Sequence, residues 1–579
     1  MPTLDPRERT RLLYEDVPGC PSPAFFDPAA LHDVKAFQAL GVTLNSASNA
    51  ILKAAHRLGT PGVRQASIQH LLRTVNLRNN YFAPVMSATA AIEDHPSAID
   101  PLHRAAALVA AARAMYLDIV SGNFPPDRYG AAPLEMGQYP NLFSTNIIHD
   151  GQHFCLFKST LASQVTVLRS GHLYSLSFEA LPAAWPAPDV LSALLQIPAS
   201  NAAIPAALIS AAKPSTQARA WAELRNHPTG APSLDSLRHS FLTLCLDLDL
   251  SPSSAAEAAA LAQSGNPGNR WFNSALQIVV FGNSKACLLF NFNAYLDGNV
   301  QMRAASEISK RAVTVASTPT AAVNPTASTP EELPLPVPPA LLARAAKDLA
   351  GITHTQQSTF ELPGFGRAFF SSRGLDPVPA FVAALQLAVF RLTGRFARIR
   401  QLLAMSKYRS MDLVTASVST RQMLDFIECM RHPSCPRELK QACLGEAIAS
   451  QTAVCRAARR YFPAFRAQML LAEKSAGIRR AYIRAVVKIA KLLLRALGLA
   501  HFGREDILIS HPAIYKEVPI IGRPGICLPY LRYFGVHYQI LDSSITLTWM
   551  PSTHWNIPTT ALTQALADSL NDMAGITDP

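Results

Sequence analysis

Two apolar runs give the chain its clearest pattern. Leu276 to Phe281 is an apolar, β-branched segment, Gly282-Asn283-Ser284 interrupts it, and Cys287 to Phe290 resumes it. Short apolar runs on either side of a glycine-containing turn predict two tightly joined strands. A polar Asn269-Arg270-Trp271-Phe272 turn opens this stretch, and Asp297-Gly298, a turn signal, closes it beside a point where a side chain can be presented to a cleft. His153 to Glu179 alternates apolar and polar residues in two runs around Ser170-Gly171, which predicts a hairpin. From Asn79 to Asp127 the chain reads as helices. An alanine-rich segment begins at Arg104-Ala105-Ala106, and Gly122-Asn123-Phe124-Pro125-Pro126 stops it. Ser543 to Met550 predicts a last strand and Thr559 to Met573 a terminal helix. Residues 1 to about 75 have helical patterning without recognisable chemistry.

Residues 311–339 break the pattern. They are rich in Pro, Ala, Thr and Ser, and no period of 2 or 3.6 is legible in them, so a partly extended linker is expected. The resulting division is a helical extension (1–75), a first lobe (76–310), the linker (311–339) and a second lobe (340–579).

Composition narrows the class. The chain has 579 residues, enough for more than one core, and 49% of them are apolar, which excludes a disordered chain. A formal net charge of +12 favours an anionic partner. The charged N-terminus lacks the apolar core of a signal peptide, and no run of about eighteen uncharged apolar residues occurs, so no transmembrane segment is expected. Nine cysteines without a signal peptide read as reduced thiols of a cytoplasmic protein.

Several short motifs follow one another in order. Pro133-Leu134-Glu135-Met136-Gly137-Gln138-Tyr139 precedes Leu142-Phe143-Ser144-Thr145. Arg219-x-Trp221-x-x-x-Arg225, Ser233-Leu234 and Leu246-Asp247 come next, then Asn269-Arg270-Trp271 and Asp297-Gly298. Beyond the linker lie Phe365-Gly366-Arg367, the run Ala380 to Arg391, and Phe534-Gly535-Val536-His537-Tyr538. The series, over about residues 80–575, resembles the carnitine/choline acyltransferase family. The resemblance implies an α/β (α+β) fold of two lobes with chloramphenicol-acetyltransferase-like topology, each a mixed sheet covered by helices, with a tunnel between them. It implies a helix at Ala380 to Arg391, and acyl transfer from a thioester.

The resemblance also assigns positions. The family's catalytic histidine falls on Asn293, and no histidine occurs between Asn269 and Val300. Imidazole titrates near neutrality and can take a proton from an alcohol, whereas a primary amide has no usable basic site. Losing a general base typically costs about 10²–10⁴ in rate. Asp297 falls on the acid that orients the histidine; an ordinary turn residue is the other reading, and Asp297 acting as the base a third. His537 is the best substitute base, against a core or edge histidine, and His149 and His153 read as surface residues beside a turn. Tyr139, Asp412 and Tyr538 fall on substrate-contacting positions. The lysine pair that contacts coenzyme A phosphate is reduced to Arg367 and Ser371, with Arg373 as a compensating cation. The family's Ser-Thr-Ser falls near Gly522-Arg523-Pro524. No tightly bound cofactor is implied; acyl-CoA or an acyl-carrier thioester would be the co-substrate.

Two features lie outside the resemblance. Cys429-x-x-His432-x-x-Cys435, with Cys443 beyond, carries soft donors but lacks the paired spacing of a structural zinc site, so thiols on helices and no metal are expected. In the inserted segment 474–505, Arg480, Arg484, Lys488, Lys491 and Arg495 fall within roughly 80° of a helical wheel. That stripe (480–495) is either a solvated helix face or a docking surface for an acidic carrier protein or an anionic membrane. No nucleic-acid motif occurs, and a monomer is expected. Two functions remain: an acyltransferase with altered chemistry and a non-carnitine acceptor, or an inactive member that binds or scaffolds.

Overall fold

The computed structural model describes residues 77, 87–92, 99–129, 131–178, 183–198, 205–316, 329–350, 358–404, 413–474, 477, 481, 485, 506–511, 533–551 and 557–578. The N-terminal extension, Asp412, the Gly522-Arg523-Pro524 segment and all five cations of the basic stripe lie outside these residues.

The first lobe begins with β1 (Ser87–Ile92) and α1 (Pro101–Ser121). Asp100 caps α1 by accepting from the Leu102 and His103 amides at 2.9 and 3.3 Å, and Gly122 ends it at φ 77°. Two antiparallel ribbons follow: β2 (Arg128–Tyr129) with β3 (Ala132–Pro133), and β4 (Thr145–His149) with β5 (Phe154–Lys158). The predicted hairpin forms from β6 (Gln164–Arg169) and β7 (His172–Ser177), turning at Ser170-Gly171. Helices α2 (Ala187–Leu195), α3 (Pro214–Asn226) and α4 (Gly230–His239) lead to β8 (Leu242–Asp247). Then come α5 (Ala255–Ala260), β9 (Leu276–Phe281), β10 (Ala286–Asn291) and α6 (Gly298–Ala316). β11 (Glu331–Glu332) and α7 (Pro339–Ala350) close the lobe.

The sheet order is β1-β10-β9-β8-β6-β7-β11, with β6, β8 and β9 parallel and the flanking pairs antiparallel. One face, including Leu276, Ile278 and Val280, packs against α1, α2 and α6. The other, including Val279 and Phe281, packs against α3, α4, α5 and α7. Burial on both faces explains why the strands read as continuous apolar runs.

Two expectations need correction here. Ser87–Ile92, read as part of a helical stretch, is a strand paired with β10 from Ser87↔Asn291 to Ile92↔Ala286. Its six residues are all buried, so no polar face marks it, and its alanines mimic a helix. Residues 311–339 are not pattern-free either. α6 runs on to Ala316, and Leu333, Leu335 and Val337 bury at alternate positions in the first lobe's core while Pro334 and Pro336 stay exposed. The prolines disguise a period of 2. α7 packs on α3, where Asp348 accepts from the Thr216 hydroxyl at 2.6 Å and the Lys213 amide at 3.2 Å.

The second lobe comprises β12 (Ser358–Pro363), α8 (Arg367–Ser371), α9 (Pro377–Thr393), β13 (Ile399–Ala404), β14 (Leu413–Ser417), α10 (Arg421–Arg431) and α11 (Arg437–Lys474). It ends with β15 (Ile507–Ser510), β16 (Phe534–Ile540), β17 (Ser544–Met550) and α12 (Thr559–Thr577). Its order is β12-β17-β16-β15-β13-β14, with β13, β15 and β16 parallel. Strand for strand this repeats the first sheet from β1 to β7, and α9 packs on α12 as α1 packs on α6. The chain therefore forms two lobes, each a mixed sheet covered by helices. Among the described residues, no helix is long and apolar enough to cross a membrane.

Candidate functional site

The β9–β10 hairpin delivers the chain to the site. Its turn needs glycine at 282, where a Cβ would collide with the Leu248 carbonyl oxygen. At the end of β10, the Asn291 side chain donates to the Phe272 carbonyl at 2.8 Å and accepts from the Asn293 amide at 3.0 Å. This folds Phe292–Ala294 into one 3₁₀ turn. Tyr295 then adopts φ 65°, a left-handed conformation costing an ordinary side chain on the order of 1 kcal/mol.

Asn293 is only 7% exposed, and its side-chain amide makes no hydrogen bond among the described residues. Asp297, 5% exposed, is engaged elsewhere. Its Oδ1 accepts from the Asn299 and Val300 amides at 3.1 and 3.2 Å, capping α6. Its own amide donates to Gln138 Oε1 at 2.8 Å, and Gln138 Nε2 stands 3.5 Å from Asp297 Oδ2.

Tyr139, beside Gln138, is 1% exposed and donates its hydroxyl to Asp127 Oδ2 at 2.6 Å. Asp127 Oδ1 pairs with Arg303 of α6, whose guanidinium lies 4.3 Å over the Phe124 ring. Gln138-Tyr139 thus clamps the start of α6 through two separate networks. The Tyr139 hydroxyl, expected against substrate, is held by protein.

The Leu246-Asp247 and Asn269-Arg270-Trp271 motifs form one buried unit. Asp247 takes Arg270 Nη2 at 2.5 Å on one oxygen and Asn269 Nδ2 at 2.7 Å on the other. Arg270 also donates to the Ala262 and Asn269 carbonyls at 2.7 and 2.9 Å. Burial is the strongest single influence and works against the Arg270 charge, but the Asp247 carboxylate together with the Cys245 and Cys287 sulfurs outweighs it and leaves the pKa raised. Burial pushes the neighbouring Cys245 thiol up to about 12 and raises Cys287 as well, so neither is a nucleophile at neutral pH.

The other candidates sit on the second sheet. Arg367 donates to the Ile540 carbonyl at 3.2 Å and lies 3.7 Å from Asp542; burial lowers its pKa against that carboxylate. Arg373 pairs with Asp578 at 2.8 Å, donates to the Phe369 carbonyl at 2.9 Å and lies 4.2 Å over the Phe369 ring. His537 is buried on β16, in register with Ser510 and Thr548. Tyr538 next to it is fully buried. Its ring lies between Phe381, 3.9 Å away at 19°, and His511, 4.8 Å away at 14°.

Sequence reasoning missed His511, which follows β15. Its Nδ1 lies 3.1 Å from the Tyr538 carbonyl oxygen. A carbonyl only accepts, so Nδ1 carries the proton and Nε2 the lone pair. Burial lowers its pKa to about 4; the Tyr538 carbonyl opposes this and Arg367 adds to it. The ring is neutral at physiological pH. No spacing marked it, because only the parallel β13-β15-β16 arrangement brings it beside Tyr538.

The structure therefore groups Asn293, Asp297, Gln138 and Tyr139 on the first lobe, and Arg367, His511, His537 and Tyr538 on the second.

The sequence model for choline/carnitine O-acyltransferases matches residues 73–460. The carnitine O-palmitoyltransferase 2 of Mus musculus is 26% identical over 282 residues, 46% of this chain and 42% of its own. The choline O-acetyltransferase of Sus scrofa is 26% identical over 254 residues, 40% of this chain and 39% of its own. The mitochondrial carnitine O-acetyltransferase of Saccharomyces cerevisiae is 23% identical over 229 residues, 37% of this chain and 33% of its own. The chain thus spans between a third and about two fifths of the length of these relatives. Among solved structures, the first condensation domain of the calcium-dependent antibiotic synthetase aligns with 89% of this chain and 95% of its own, at 9% identity and a TM-score of 0.39.

Proposed function

The chain belongs to the choline/carnitine O-acyltransferase family, and on that premise we propose that it moves an acyl group from a thioester to an acceptor other than carnitine, without an imidazole at position 293. The donor is acyl-CoA or an acyl group on an acidic carrier protein. The observation that carries this reading is the Asn293 side chain, mostly buried at the end of β10, whose amide makes no hydrogen bond among the described residues. No described protein group satisfies that amide and its polar atoms still reach solvent, so a ligand can take the place of water on it. It can donate to a thioester carbonyl and stabilise the oxyanion that forms there, a contribution worth about 10²–10³ in rate. It cannot remove a proton. The acceptor is then a nucleophile that needs no strong base, an amine or a thiol, rather than the hydroxyl of carnitine or choline.

Purified full-length protein, supplied with acyl-CoA and carrier-bound donors and with amine, thiol and alcohol acceptors, tests this by release of free thiol. Turnover with an amine or thiol, falling about 10²-fold in Asn293→Ala, is the expected result. Absence of turnover with every pair would sink the proposal.

A second reading is favoured by one set of contacts. Arg367, which the resemblance assigns to one coenzyme-phosphate position, and Arg373, the compensating cation, already lie against Asp542 and Asp578. In that reading the protein binds an acyl thioester or a partner and does no chemistry. Calorimetric binding of a thioester that is not turned over would support it. Wild-type activity unchanged by Asn293→His would exclude it.

A further inference from the structure

Three thiols gather where α10 gives way to α11. Cys429 is half-buried on α10, and Cys443 is buried on α11, with its sulfur 3.2 Å from that of Cys429. Cys435, half-buried in the connection, also interacts with Cys429. None of the three belongs to the residues grouped around Asn293 or around Tyr538. Disulfide sulfurs stand about 2.0 Å apart, so the Cys429 and Cys443 sulfurs need to approach by only ~1.2 Å.

We propose that Cys429 and Cys443 are a redox-modifiable pair, converted by a small neutral oxidant such as hydrogen peroxide into a disulfide that ties α10 to α11. Cys429 is the more exposed and reacts first. Its thiolate attacks one peroxide oxygen, the O–O bond breaks, and a sulfenic acid and one water result. Cys443 then attacks the oxidised sulfur, forming the S–S bond and releasing a second water. Two thiols and one peroxide become one disulfide and two waters. Asp425 of α10 and Glu446 of α11 place negative charge near Cys443. They repel anionic oxidants such as glutathione disulfide and leave a neutral one favoured. Burial, then the Cys443 and Cys435 thiols, push the Cys429 thiol up. The pair is therefore sluggish and responds to sustained oxidant rather than to traces.

The test is peroxide treatment of the folded full-length protein, blocking of free thiols, and non-reducing peptide mapping by mass spectrometry. The expected product is a single cross-link joining the Cys429 and Cys443 peptides, in wild type and in Cys435→Ser. It should be missing in Cys429→Ser and in Cys443→Ala, the latter chosen because it leaves no buried hydroxyl. The cross-link constrains the unfolded chain, so Tm should rise and fall back with dithiothreitol. A bridge to Cys435 instead, a bridge that forms only after unfolding, or free Cys429 and Cys443 when other cysteines are oxidised would each overturn the proposal.

Discussion

Asp297 and Gln138 hold each other across 159 residues of chain, amide to side-chain carbonyl at 2.8 Å. The carboxylate that by position would orient a histidine is bound into the first lobe's framework and caps α6. Asp297→Ala should destabilise the protein by about 1–3 kcal/mol, because a cap and a buried partner go together. Asp297→Asn should retain most of that, since asparagine caps as well as aspartate. Denaturant unfolding separates the two variants; equal losses would show that charge rather than capping matters there.

Arg270 and Asp247 should behave as one unit. Removing one member of a fully buried ion pair leaves the other charge uncompensated, at about 3–5 kcal/mol. Arg270→Met should therefore be severely destabilising, and Arg270→Met with Asp247→Leu less so than the single change. A double-mutant cycle by equilibrium unfolding measures this, and strictly additive losses would contradict it.

His511 predicts a pH dependence. Its folded pKa of about 4 lies below the ordinary value of 6.5, so between those values the unfolded chain binds the proton more tightly. Stability should fall as pH drops from about 6.5 and level off below about 4, with His511 accounting for on the order of 3 kcal/mol. His511→Gln should flatten that part of the profile. A profile that keeps its slope in the variant would assign it to other groups.

Asn293→His restores a titratable ring at the end of β10. Transfer to an alcohol acceptor should then appear, rising with pH through about 6.5 as the imidazole loses its proton. The gain should lie at the lower end of the 10²–10⁴ expected of a general base, since Asp297 Oδ1 already serves α6. Thiol release followed against pH reads both numbers. A gain without pH dependence would mean that the ring acts by shape alone.

Legibility in the sequence followed period and punctuation. The β9–β10 and β6–β7 hairpins showed because apolar runs flank glycine turns, and Ala380 to Arg391 lies within α9 as the resemblance implied. β1 did not show, because a strand buried on both faces with three alanines has neither alternation nor bulk. The motifs were legible as motifs, but not as contacts. Nothing in Leu246-Asp247 or Asn269-Arg270-Trp271 says that the aspartate of one neutralises the arginine of the other. Position alone assigned Tyr139 to substrate, whereas packing gave its hydroxyl to Asp127. His511 was invisible because its role depends on a carbonyl 27 residues away along the chain.

The proline-spaced strap from Leu333 to Val337, with α7 behind it, also bears on how the protein is made. A ribosome delivers β1 to β10 first, with α3, α4 and α5 to cover part of the sheet face that includes Val279 and Phe281, yet the part under the strap and α7 stays open until Val337 and then Asp348 have emerged. The nascent first half must therefore wait with an apolar surface open to water, and chaperone contact is most needed in that interval. Cutting the gene at the prolines would make the interval permanent; cutting it after Ala350 would let the half close on itself.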